Sequence, residues 1–117
     1  MRDEGWVKLI KFEGSRMYYD ADDENGAKAV KLYGELTFND HGSFNDLIEE
    51  LSTGGTSNIS CDLSGLEFID SSGLGLLLLL TDRAKKNGWT LTFLKPQGQV
   101  AKMLKYTEIS KQLALEE

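Results

Sequence analysis

Asp70-Ser71-Ser72-Gly73-Leu74-Gly75 lies between a short alternating apolar segment and a leucine-rich stretch, and it constrains the fold more than any other part of the chain. A carboxylate and two hydroxyls ahead of two glycines open a helix directly after a strand. The first turn of such a helix leaves backbone N–H groups without intrahelical partners, at the positive end of the helix dipole. An anion is stabilised there, whether a capping carboxylate, a ligand phosphate or a phosphate carried by a serine. At about 100° per residue, Leu74, Leu76, Leu77, Leu78, Leu79 and Leu80 fall all around this helix. Either neighbouring helices cover its far side, or some leucines stay exposed beside Ser71 as an apolar docking patch.

The rest of the chain alternates between strand and helix signals. Trp6 to Phe12 is an expected first strand, ended by Gly14. Met17-Tyr18-Tyr19 and Ala27 to Tyr33 form an expected hairpin around an acidic turn that finishes in Asn25-Gly26, a pair that accepts positive backbone angles. The second arm sets Ala27, Ala29 and Lys31 against Lys28, Val30 and Leu32, so its inner face is weakly specified.

Asp40-His41-Gly42-Ser43 reads as a helix entry, Ser43 and Asp46 resemble a capping box, and Phe44, Leu47, Ile48 and Leu51 keep helical spacing. Thr53 to Ser57 breaks that helix, and Asn58 to Leu63 reads as a short strand with Ile59, Cys61 and Leu63 on one side. The leucine-rich helix is expected over Ser72 to Lys86, stopped by Asn87-Gly88, with Arg83, Lys85 and Lys86 suiting its C-terminal dipole. A strand over Trp89 to Leu94 ends before Pro96. A third helix is expected from about Gln99 to Tyr106 with Val100, Met103 and Leu104 inward, and the tail from Ile109 to Leu115 packs back as a short element. Strands separated by helices indicate an α/β domain with partly parallel strands.

Size and charge narrow the function. The 117 residues suit one compact domain, read as 1–117, and 40% hydrophobic content is globular. A formal charge of −6 argues against nucleic acid, which needs a basic patch, and against a polybasic membrane-surface helix. The apolar run Leu76 to Leu80 is too short to span a bilayer. The N-terminal Met1-Arg2-Asp3-Glu4-Gly5 has no signal-peptide core, so a cytoplasmic protein is expected. Cys61 reads as a buried reduced thiol, a single Cys with a single His41 argues against a metal site, and no cofactor is expected.

Several chemistries fail on spacing. In Asp20 to Gly26 a calcium loop would need its glycine one place earlier and a glutamate where Lys31 stands. Gly73-Leu74-Gly75 lacks the third glycine of a dinucleotide fingerprint, since that position is Leu78. Small residues there are explained equally well by close approach of a neighbouring backbone. A serine hydrolase would need a base, but His41 reads as an exposed loop residue and Asp70 replaces the first glycine of a nucleophile elbow. A phosphoaspartate receiver built on Asp62 or Asp70 would need an acidic pair after the first strand, where only Glu13 stands. Asp70 is better read as a helix-entry carboxylate. No acid–base pair assembles, so an enzyme is not expected.

Cys61-Asp62-Leu63-Ser64-Gly65-Leu66-Glu67-Phe68-Ile69-Asp70-Ser71-Ser72-Gly73-Leu74-Gly75 closely resembles the core motif of STAS domains, the anti-sigma factor antagonists. Gly34-Glu35-Leu36 matches the end of an earlier strand in that family, and Asn87-Gly88 with Leu91-Thr92-Phe93-Leu94 matches its next turn and strand. The resemblance covers about residues 16–112, with an extra N-terminal strand segment at 5–14. It implies a STAS fold, a small mixed β-sheet with helices packed mainly on one side. It also implies partner switching, in which the unmodified protein binds an anti-sigma factor that is also a serine kinase. That kinase phosphorylates Ser71 and the complex separates, and a serine phosphatase acting on phospho-Ser71 resets it.

By the same resemblance Ser72 is the helix-entry residue, Asp70, Ser72 and Gly73 form the phosphosite loop, and Leu74, Leu76, Asn39 and Asp40 are candidates for partner contact. Thr37-Phe38-Asn39 stands where many antagonists have an aspartate, and the chain leaves little room after Leu115 for the usual last helix. Two other readings stand beside it: a sensor that uses the same helix N-terminus to hold a nucleotide or anion, and a regulatory subunit of a transporter or stress-signalling complex.

Overall fold

The computed structural model describes residues 16–24, 26–106 and 115–116. The expected strand at Trp6–Phe12, the segment 5–14 and the tail residues 109–114 lie outside the described residues. Strands β1 (Met17–Glu24) and β2 (Ala27–Leu36) form an antiparallel hairpin with Glu24 opposite Ala27 and Met17 opposite Gly34. Gly26, at φ 81°, supplies the left-handed backbone such a turn requires. Asp20 to Glu24, expected as part of an acidic turn, are ladder residues paired with β2. The ambiguous second arm resolves with Lys28, Val30 and Leu32 buried, and Lys31 and Tyr33 on the opposite face.

β3 (Asn58–Ile69), β4 (Thr90–Leu94) and β5 (Leu115–Glu116) run parallel to β2, and the five strands lie in the order β1-β2-β3-β4-β5. Parallel neighbours need crossover connections. Helices α1 (His41–Thr53), α2 (Ser71–Asn87) and α3 (Gly98–Tyr106) supply them. Met17, Tyr19, Leu32, Ile59, Cys61, Leu63 and Phe93 form the covered sheet face, and they join Phe44, Leu47, Leu51, Leu77, Leu80, Val100 and Leu104 of the helices in one core cluster. Burial of each large apolar side chain contributes about 1.5–3 kcal/mol. On the other face Tyr18 and Tyr33 stack as cross-strand partners, with ring centroids 5.1 Å apart.

β3 is twice the expected length because it does not stop where its alternation stops. Two register shifts against β2 change the burial spacing, so that Leu63, Leu66 and Ile69 are all buried. Each shift adds a residue to β3, as a β-bulge does. The Asp62 carboxylate accepts from the Ser64 N–H at 2.8 Å inside the first bulge. Gly65 is needed there, because a Cβ would press on the Leu32 carbonyl and the Tyr33 ring.

The first helix begins differently from expectation. Its capping box is Thr37 with Asp40, around a 3-10 turn over Phe38–Asp40, and α1 starts at His41. Ser43 is buried inside α1 and does not cap it. His41, expected on a loop, is the first residue of the helix and is exposed. Between α1 and β1, the Tyr19 hydroxyl lies 2.7 Å from the Asp46 carboxylate and 2.9 Å from that of Glu50. Burial first, and then these acceptors, push its pKa well above the ordinary phenol range.

Candidate functional site

The C-terminal ends of β2 and β3 meet the first turn of α2, and that junction holds the Asp-Ser-Ser-Gly motif. Asp70 is the N-cap: its backbone is extended, and its Oδ1 accepts from the Gly73 N–H at 2.8 Å. Its carbonyl accepts the Leu74 N–H at 3.0 Å, the first bond of the helix, and its own N–H donates to the Leu36 carbonyl at 3.3 Å. Ser71 is therefore the first residue of α2. Ser72 follows inside the helix, so the entry residue is Asp70 and not Ser72. Both serines are exposed.

Gly73 explains why the motif needs a glycine at this point. Its φ is ordinary, but a Cβ would collide with the Leu36 carbonyl oxygen and with Ile69 Cγ1. The helix start is pressed onto the end of β2, and only a residue without a side chain lets Ser71 emerge there. Gly75 is different: nothing lies within 4 Å of where its Cβ would be, and the position is exposed. One helical turn separates it from Ser71, so this position places no side chain beside the hydroxyl.

The four docking candidates separate by burial. Leu74 and Leu76 retain 2% and 3% exposure and belong to the core, so neither presents a side chain to a partner. Leu74, Leu76, Leu77, Leu80 and Ala84 bury one face of α2, and of its leucine run only Leu79 is exposed, at 37%. Asp40 is fully buried, with Oδ1 accepting from the Arg16 and Met17 N–H groups at 2.6 and 2.9 Å. Its Oδ2 accepts from the Thr37 N–H and hydroxyl at 2.7 and 3.1 Å. These donors fix β1 to the exit of β2, so Asp40 organises the site from beneath and cannot meet a partner. Asn39 is exposed beside Phe38, which is 68% exposed and has its ring 5.8 Å from that of His41. This 3-10 turn contacts α2, so the exposed ring and the Ser71 hydroxyl belong to one end of the molecule.

Two features escape a sequence reading. Phe38 carried no periodic signal that would set it outside. Gln99 of α3 accepts the Ile69 N–H at Oε1 and donates from Nε2 to the Ile69 carbonyl, both at 2.9 Å. Thirty residues separate the partners, and no local pattern marks the pair.

Other reactive groups are structural. Cys61 is buried, and burial together with the Asp62 charge pushes its thiol up to about 12, so it is no nucleophile. No cluster of His, Cys, Asp and Glu among the described residues could hold a metal ion. No helix among them is long and apolar enough to cross a membrane.

Comparison with known proteins adds a family and a fold. Residues 20–116 match the family model described as Mlab, STAS domain. The fold is similar to that of an anti-sigma factor antagonist from Mycobacterium paratuberculosis, with TM-score 0.74, 19% identity and coverage of 85% of this chain and 84% of that one. It is also similar to the antagonist SpoIIAA in its unphosphorylated form, with TM-score 0.65, 21% identity and coverage of 85% and 88%. The phosphorylated form of Bacillus SpoIIAA matches with TM-score 0.60, 20% identity and coverage of 85% and 91%.

Proposed function

The chain belongs to the STAS domain family, and from that premise we propose that it is an anti-sigma factor antagonist, a non-enzymatic partner-switching module controlled by phosphorylation of Ser71. In this reading one STAS domain with a core over about 16–112 works in the cytoplasm. Its unmodified form binds an anti-sigma factor that is also a serine kinase, and a serine phosphatase acting on phospho-Ser71 restores that form. What supports the reading is likeness in fold to anti-sigma factor antagonists, one of them, SpoIIAA, known in a phosphorylated and an unphosphorylated form.

The observation that carries it is the exposed Ser71 side chain at the first position of α2, directly after the Asp70 cap. A phosphate there adds close to two negative charges where the helix dipole favours them by about 0.3–1 kcal/mol. The free domain tolerates the modification. A docked partner does not, because the same dianion must lose water within the interface. Uncompensated burial of that kind costs several kcal/mol, and about 4 kcal/mol is roughly a thousandfold in affinity. In this reading Asp70 and Gly73 hold the loop and Ser72 lines it, while Asn39 and the adjoining Phe38 contribute to the docking surface.

Incubation of the protein with its cognate kinase and ATP, followed by mapping of the phosphate by mass spectrometry, tests the assignment. Phosphate is expected on Ser71 and absent from the Ser71→Ala variant. Modification confined to Ser43, Ser57 or Ser64 would remove Ser71 from this role.

A further inference from the structure

β4 pairs with β3 only from Asn58 to Asp62, so the distal half of β3 runs past its neighbour on that side. In a parallel ladder the N–H and C=O of one residue point to the same side, and successive residues point to opposite sides. Asp70 donates to Leu36 on the β2 side. The N–H and C=O of Ile69 therefore face the side that β4 leaves open.

The Gln99 side chain fills that side. Its carboxamide offers one acceptor and one donor in the arrangement of a peptide group, and it bonds both polar atoms of Ile69 at 2.9 Å. The connector from β4 passes twice through the left-handed region on its way to Gln99, with Lys95 at φ 55° and Gly98 at φ 57°. A non-glycine residue in the left-handed region is uncommon and is kept where the surroundings determine it.

We propose that Gln99 is the positioning residue for the Ser71 loop: its amide replaces the missing β4 partner at Ile69 and sets where the Asp70 cap and the Ser71 hydroxyl leave the sheet. The inference rests on the reading of Ser71 as the modified residue. It adds a control point on α3, at sequence distance from the motif itself.

A thiol placed at the hydroxyl position reports the geometry directly. In Ser71→Cys, the rate of alkylation by iodoacetamide is followed against pH, and buried Cys61 stays silent. The helix N-terminus draws the midpoint of that profile down, against the opposing charge of the neighbouring Asp70 carboxylate. Adding Gln99→Met, which keeps the length of the side chain but loses the amide, is expected to raise the midpoint by about half a pH unit. Amide exchange in the unsubstituted protein is expected to find the Ile69 N–H protected although β4 does not reach it.

An unchanged midpoint in the folded double variant would overturn the proposal, as would rapid exchange at Ile69. Loss of the fold in Gln99→Met would also overturn it, because Gln99 would then serve global stability instead of loop placement. No kinase enters this test, so its failure removes Gln99 alone. Phosphate mapped to another serine removes the role of Ser71 whatever Gln99 does.

Discussion

Asp40 and Asp70 put the same side chain to different uses. Asp70 caps the helix that follows it, accepting from Gly73 three residues on, and a local pattern of strand, acid and helix is enough to reveal that. Asp40 gathers N–H groups from Arg16 and Met17, more than twenty residues away in the chain, and nothing local encodes such a contact. Read without that contact, it passes for a surface acid near a helix entry. Asp40→Ala leaves buried donors without acceptors, and each such group costs about 1–3 kcal/mol. A loss of about 2–4 kcal/mol is therefore expected in urea unfolding. A variant of wild-type stability that had lost only partner binding would restore Asp40 to the docking surface. The same limit hid Gln99, whose role depends on where β4 ends and not on its own neighbours in the sequence.

At the scale of elements, the motif helix was legible to within a residue at each end because its signals are local: an acid before it, Asn87-Gly88 after it. Gly88, at φ 75°, is the left-handed terminator. The length of β3 was not legible, because bulges replace a period of two by longer steps and break the alternation that marks a strand. The two motif glycines also look alike in sequence and differ in structure. Gly73→Ala pushes a methyl group into the Leu36 backbone and is expected to destabilise by roughly 1–3 kcal/mol. Gly75→Ala meets only open space and is expected to stabilise the helix by up to about 1 kcal/mol. Thermal melts of both variants check the pair. Equal and opposite behaviour to that expected would mean that α2 does not start against β2.

For the whole molecule, one core cluster joins all three helices to one face of the sheet, and the exposed serine stands at the rim of that body. In the proposed reading, a charge added at this rim changes what can dock while the core stays as it was. The fold class was legible because strand and helix signals alternate along the chain. The surface beside Ser71 was not, since Leu74 and Leu76 turned inward and Phe38 outward. The most direct measurement is a binding titration of the kinase recovered on Ser71→Ala bait, against the wild type and Ser71→Asp, with the melting temperature of each recorded. The account predicts melting temperatures within a few degrees of each other and affinity weaker by up to roughly a thousandfold for Ser71→Asp. Equal affinity for the two proteins, or unfolding of Ser71→Asp, would contradict it.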